Sequence, residues 1–384
     1  MGPLDGVRIV EMAGIGPVPH AGMLLSDLGA DLIRIDRRHA GPLGAWPEPR
    51  FDILARGRRS IIVDLKKPKG VEVVLDLIAS ADALIEGYRP GVMEKLGLAP
   101  RKCMGRNPRL VYGRMTGWGQ EGPLAEAAGH DINYISLSGA LHAIGKTGGD
   151  PAIPLNLVGD FGGGSLYLAL GVVSALLEAS RSGKGQVVDA AMVDGAASLM
   201  SIFYSMDAVG ALKEERGANL LDGGAHFYNV YETKDGGYVS VGAIEPQFYA
   251  ELLDRLGMGD DDLPSQFDQS SWSEMRERMA AVFRTRTRDQ WCELLEGSDA
   301  CFAPVVAVSE ASDHRHMTAR KTFVEVGGVK QPAPAPRFSR TRPQLRRPPP
   351  APGADTRELL SEAGMSPGDI EELLNEGVVD AAEA

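Results

Sequence analysis

The chain has 384 residues, 43% hydrophobic and 24% charged, with a formal net charge of −12. That length exceeds one typical domain, so two lobes are expected, in the compositional balance of a globular protein in water. The acidic surplus speaks against nucleic-acid or anionic-membrane binding, and the sparse cysteines (Cys103, Cys292, Cys301) lack metal-ligand spacing, which points to no metal and a reducing, cytoplasmic setting.

Neither a basic-then-apolar leader nor an unbroken apolar run near the ~20 residues that span a bilayer stands out, and the terminal Asp380-Ala-Ala-Glu-Ala384 matches no peroxisomal or prenylation signal. Val7–Met12 alternates and reads as a strand, broken by Gly14-Ile-Gly-Pro17. A short helix from Ala21 to Leu28 and a second strand, Asp31–Asp36, follow. Strand, glycine turn, helix, strand, acid outlines a nucleotide-binding unit, but Pro17 and Pro19 remove amides that a dinucleotide phosphate needs. Arg34, Arg37, Arg38, Arg56, Arg58 and Arg59 then crowd one stretch of an acidic chain. Such a cluster suits a ligand carrying several phosphates, and singly each arginine also fits a solvated ion-paired face.

The next elements alternate: a strand Ile61–Leu65, a helix Gly70–Ser80, a strand Ala83–Glu86, the loop Gly87-Tyr-Arg-Pro-Gly91 and a strand Arg109–Met115. This predicts a parallel α/β sheet with ligands at the carboxyl ends of its strands, where Arg37, Arg89 and the Thr116 loop fall. Ala128-Gly-His-Asp-Ile-Asn-Tyr134 and Leu155-Asn-Leu-Val-Gly-Asp-Phe-Gly-Gly-Gly164 come next. They set His130 and Asp160, two groups able to exchange a proton with one carbon, among glycine turns. A structural histidine and glycines that merely relieve crowding fit the same residues. Asp131 can orient Tyr134 or cap the helix that begins there, and Asn156 can bond Asp160 or close a turn.

Ser165–Leu177 is apolar on every side and is expected to be wholly buried. A strand at Gln186–Met192 and an apolar helix at Val193–Met206 lead to a second lobe. That lobe shows a hairpin around Lys234-Asp-Gly-Gly237 and a helix opened by Glu245-Pro246, and further helices follow near Trp272–Phe283 and Arg288–Leu295. Met192, Met200, Met206 and Met258 read as core, though methionines also suit a surface over which an acyl chain slides. The proline-rich stretch Gln331–Pro352 wraps or links, and two short helices close the chain.

Gly87–Gly91, Arg114-Met-Thr-Gly-Trp-Gly119, Ala128–Tyr134, Leu155–Asp160, Gly183-Lys-Gly-Gln-Val-Val-Asp189 and Val241-Gly-Ala-Ile-Glu-Pro-Gln-Phe248 resemble the class III CoA-transferase superfamily, and within it the α-methylacyl-CoA racemases. The resemblance covers Pro3 to about Ser339. It implies an α/β fold with a large Rossmann-like parallel-sheet domain (1–205), a smaller α+β domain (222–310) and a return segment with C-terminal helices (311–384) packed on the large one, in an interlocked homodimer. It also implies an acyl-CoA substrate and no cofactor. The family's catalytic histidine falls on His130 and its aspartate on Asp160. The glutamate that supports the histidine falls on Glu245, and the asparagine beside the aspartate on Asn156, with Asp131 next to the pair. CoA contacts fall on Arg37, Arg38, Arg56 and Arg89, with Tyr134 nearby. Ala55 departs from the asparagine common at its position, and the tail beyond Pro350 looks longer than in relatives.

The implied chemistry is inversion at C2 of a 2-methylacyl-CoA. An α-hydrogen of a thioester is far less acidic than any side chain, so the enolate needs stabilisation and the bases need placement. His130 and Asp160 serve opposite faces and share one proton. The alternative within the superfamily is CoA transfer between carboxylic acids with Asp160 as nucleophile, which has no use for His130 or Glu245. A non-catalytic acyl-CoA binder and an NAD enzyme are disfavoured by the intact His130–Asp160–Glu245 set and by Pro17 and Pro19.

Overall fold

The computed structural model describes residues 2–38, 46–259 and 262–382. Its central feature is a seven-stranded sheet. Six of its strands are, in chain order, β1 (Arg8–Met12), β2 (Asp31–Asp36), β3 (Arg58–Val63), β4 (Ala83–Glu86), β5 (Val111–Thr116) and β6 (Val187–Ala191). They lie in the order β3-β2-β1-β4-β5-β6, all parallel, which is a doubly wound arrangement. The middle strands are buried over their length, as expected when helices cover both faces. The order reverses between β1 and β4. The loops after those two strands therefore diverge and open a crevice at their carboxyl ends. Gly87 packs there against Val18 at the start of the helix Pro17–Asp27, and the Tyr88 hydroxyl donates to Ala13 O at 3.0 Å.

The chain divides into two compact units, residues 1–138, 155–199 and 321–384 in the first and 139–154 and 200–320 in the second. The expected 1–205, 222–310 and 311–384 thus give way to interrupted boundaries, with the first break earlier, at 199–200, and the return to the large unit later, at 321. Residues 139–154 leave the large unit because Arg216 donates to His142 O (3.0 Å) and Gly149 O (2.9 Å), and Thr147 to Gly217 O (3.0 Å). These partners lie about seventy residues away, beyond the reach of a local pattern. The second unit holds an antiparallel sheet of β7 (Tyr228–Glu232), β8 (Tyr238–Gly242) and β9 (Phe302–Val305) under the helices Pro246–Leu256, Trp272–Phe283 and Arg288–Leu295. Its own aromatic core includes Phe227, Trp272, Phe283 and Trp291.

The return segment starts with a hairpin, β10 (Phe323–Val326) and β11 (Val329–Pro332), and ends with β12 (Val379–Asp380) lying antiparallel on β3. The tail therefore closes a sheet edge, and Leu359, Leu360, Ile370 and Leu373 complete the core on that side.

One expectation fails outright. The helix Leu166–Ser182 is not buried all round. Leu168, Val172, Ala175 and Ala179 pack into the core under β5, while Leu166, Leu170 and Leu177 are 52, 63 and 54% exposed. Together with the turn before it, the helical run Leu157–Ser182 is long and apolar enough, by length and composition alone, to cross a membrane. Its inward face instead forms a wall of the first unit.

Candidate active site

His130 stands at the head of the helix Asp131–Leu137, exposed, with its backbone amide donating to Asn133 Oδ1 at 3.0 Å. The preceding loop is pinned by Tyr134. Its ring is buried edge-on against Trp118 (4.8 Å between centroids) and its hydroxyl donates to Gly129 O. No side chain fits at Gly117, because a Cβ there would enter the Tyr134 ring. Tyr134, expected on the CoA surface, is thus committed to holding the loop that presents His130. The amides of Asp131 and Ile132 find no acceptor among the described residues. They form a free helix N-terminus of the kind that stabilises developing negative charge.

Asp160 sits where the sequence suggested only a glycine turn. Leu157–Ser165 is a π-helix, nine residues long, that runs directly into the helix Leu166–Ser182. The wider turn needs room. A Cβ at Gly163 or Gly164 would strike Ala196 N or Met192 Cγ at 2.6 and 2.9 Å, so the glycines let the turn lie on the helix Met192–Leu199. Rare π-turns of this kind concentrate at functional sites.

Within the first unit four groups converge on this carboxyl. Asn156 Nδ2 donates to Asp160 Oδ2 at 3.2 Å, as one sequence reading expected. Gly16, at φ +70°, backs the same oxygen, and a Cβ there would lie 3.2 Å from it. Asp131 does not cap its helix. It is the first helical residue after His130, is buried, and its Oδ2 accepts the Asp160 amide at 2.6 Å. His130 lies close enough for its charge to act on the carboxyl. Burial raises the Asp160 pKa above the usual aspartate value, Asp131 pushes the same way, and Asn156 and His130 oppose them. A carboxyl so raised can both take and return a proton nearer neutrality.

Gly16 and the pair His20–Phe161, with ring centroids 4.4 Å apart, were missed from sequence. The Gly14–Gly16 turn was the only signal, and it was read there as a broken phosphate loop. Glu245 belongs to the second unit, exposed at the head of the helix Pro246–Leu256.

The arginines divide. Arg89 is exposed, its guanidinium without a hydrogen bond or ion pair among the described residues, and Arg37, also exposed, stacks over the Tyr88 ring at 5.2 Å. Both stay open to a ligand beside the crevice. Arg38 is partly engaged by the tail, at 3.1 Å from Asp380 Oδ2. Arg56 is a correction, being fully buried. Its guanidinium forks onto Asp27 (3.1 and 2.5 Å) and donates to Gln331 Oε1 (2.9 Å) and Pro332 O (2.7 Å). It locks the return hairpin to the end of the helix Pro17–Asp27 and has no face left for phosphate. Arg58 is likewise spent on Glu11, and Asp36, the acid of the apparent nucleotide motif, accepts from Arg34 and Ser60.

The family model described as CoA-transferase family III matches residues 4–356. The chain is 46% identical to the alpha-methylacyl-CoA racemase of Mus musculus and 43% identical to that of Homo sapiens, each over 98% of both chains. It is 30% identical to the succinyl-CoA:glutarate CoA-transferase of Homo sapiens over 99% of this chain and 91% of that one. Among solved structures, a CAIB/BAIF family protein from Brucella suis superposes with a TM-score of 0.80 at 28% identity, covering 94% of this chain and 99% of that one. The tail beyond Pro350 is not an extension relative to the two racemases, whose matches run nearly end to end. The chain belongs to CoA-transferase family III.

Proposed function

We propose that the chain is an α-methylacyl-CoA racemase, an isomerase that inverts C2 of 2-methylacyl-CoA thioesters by 1,1-proton transfer. The observation that carries this is the convergence of His130 and a desolvated Asp160 in a protein so similar to racemases along its length. One base removes the α-proton from one face and the other returns a proton to the opposite face. The free amides at the head of the helix Asp131–Leu137 receive the thioester oxygen as negative charge develops. Asn156 holds Asp160 in place, and Glu245 is retained as the supporting carboxylate that the family resemblance implies. Arg37, Arg38 and Arg89 receive the CoA phosphates, and no cofactor takes part.

The working form is a homodimer, as the uncovered leucines Leu166, Leu170 and Leu177 of one helix support. Its setting is cytoplasmic, in keeping with three unpaired cysteines, and neither nucleic acid nor a membrane is a partner.

The test is incubation of one C2 epimer of a 2-methylacyl-CoA in D₂O without a carboxylate acceptor. Deuterium enters C2 as the epimers scramble, and His130→Ala abolishes both. Undiminished exchange in that variant refutes the assignment. No exchange in the wild type, with CoA transfer once a free acid is added, replaces it with a transferase in which Asp160 is the nucleophile.

A further inference from the structure

We propose that Asp131 is the positioning residue of this site, its carboxylate tying the π-turn that carries Asp160 to the helix head that carries His130 and setting the charge that Asp160 faces. This deepens the racemase reading and rests on it for its kinetic consequence. Inverting a carbon from two sides demands a fixed separation between the bases, and the two lie on different elements, thirty residues apart in the chain.

The link between them is one hydrogen bond, Asp160 N to Asp131 Oδ2 at 2.6 Å. The turn is shaped around that bond, since a Cβ at Gly159 would sit 2.5 Å from the same oxygen and 2.8 Å from Asp131 Cγ. The other oxygen, Oδ1, is buried with no hydrogen-bond partner. An unmet carboxylate oxygen costs stability, so a folding role alone is better filled by a neutral acceptor.

Few other charges face Asp160. The helix Asp131–Leu137 brings His130, Asp131 and Tyr134. The helix Pro17–Asp27 presents Gly16 to the carboxyl, with His20 against Phe161, and Met192–Leu199 carries only the exposed Asp194. Asp131 opposes ionisation of Asp160, so removing its charge lowers the Asp160 pKa.

The experiment compares Asp131→Asn, whose amide oxygen still accepts from Asp160 N, with Asp131→Ala, which loses both bond and charge. The pH profile of kcat/KM for deuterium exchange is followed in each. In D131N the acid limb moves to lower pH while the basic limb stays. In D131A the same shift comes with a further fall in kcat of about 10²-fold, the scale of an ångström's misplacement. A purely structural role lowers the rates and moves neither limb. Carbon-13 titration of the full-length protein labelled at aspartate carboxyls, with the Asp160 signal assigned by D160N, reads the same shift without turnover. A lower Asp160 midpoint in D131N supports the proposal even if the wild type exchanges nothing and the racemase reading falls. An unmoved midpoint overturns it.

Discussion

Gly159→Ala adds one methyl group at the point where the two halves of the site are joined. Its carbon would stand 2.5 Å from Asp131 Oδ2, 2.8 Å from Cγ and 3.1 Å from Asp131 O, where ordinary contact begins at 3.4 Å. Relieving the worst contact separates the π-turn from Asp131 by about 0.9 Å. That stretches the 2.6 Å bond from the Asp160 amide beyond hydrogen-bond range and carries the carboxyl away from its reacting position. A displacement near 1 Å costs on the order of 10²-fold in rate, or about 2.7 kcal/mol of barrier. Overpacking itself costs about 1–3 kcal/mol, which lowers the melting temperature by a few degrees without unfolding the protein. The assay is initial-rate deuterium incorporation at C2, run beside thermal denaturation. We expect kcat to collapse with KM little changed, because the arginines at the crevice are untouched. A folded G159A enzyme exchanging at the wild-type rate would refute the reasoning that Asp131 fixes Asp160.

Two further outcomes follow from the packing. Arg56→Ala leaves Asp27 buried and unpaired and frees the return hairpin. It should cost about 3–5 kcal/mol in urea denaturation with an unchanged KM for acyl-CoA, whereas weakened CoA binding at full stability would restore Arg56 as a ligand. Leu170→Glu places a charge on the exposed leucine face. Sedimentation should then show monomers, where the proposed homodimer predicts a dimeric wild type, and an unaltered dimer would move the interface elsewhere.

Much of the site was legible because its chemistry is written in residue types at fixed spacing. His130, Asp160 and Asn156 were named from the sequence motifs, and the structure brings these three together in one unit. Of the roles that the sequence allowed Asp131, the helix cap is not formed. A helix cap is a local device that the sequence suggests by position, whereas accepting an amide from residue 160 depends on how two distant turns meet.

The alternation of β-branched strands and amphipathic helices was enough to specify a parallel α/β sheet, since each element must bury one face and period and length say which element it is. The glycines of 159–164 fit a crowded backbone, and the prolines at 17 and 19 disfavoured a dinucleotide loop. These are properties of the backbone residue by residue, and a sequence carries them in full. Tertiary structure alone decided what each charged group is used for. Arg37 and Arg56 look alike in the chain, yet one lies open beside Tyr88 and the other is sealed under the return hairpin by Asp27 and Gln331, residues up to 275 positions away. It also decided that nine residues wind as a π-helix and that only half of an all-apolar helix is covered. The reason is common to all three. Burial and pairing are set by contacts between segments far apart in sequence, and a local pattern can state that a surface is apolar or charged but not what comes to lie against it.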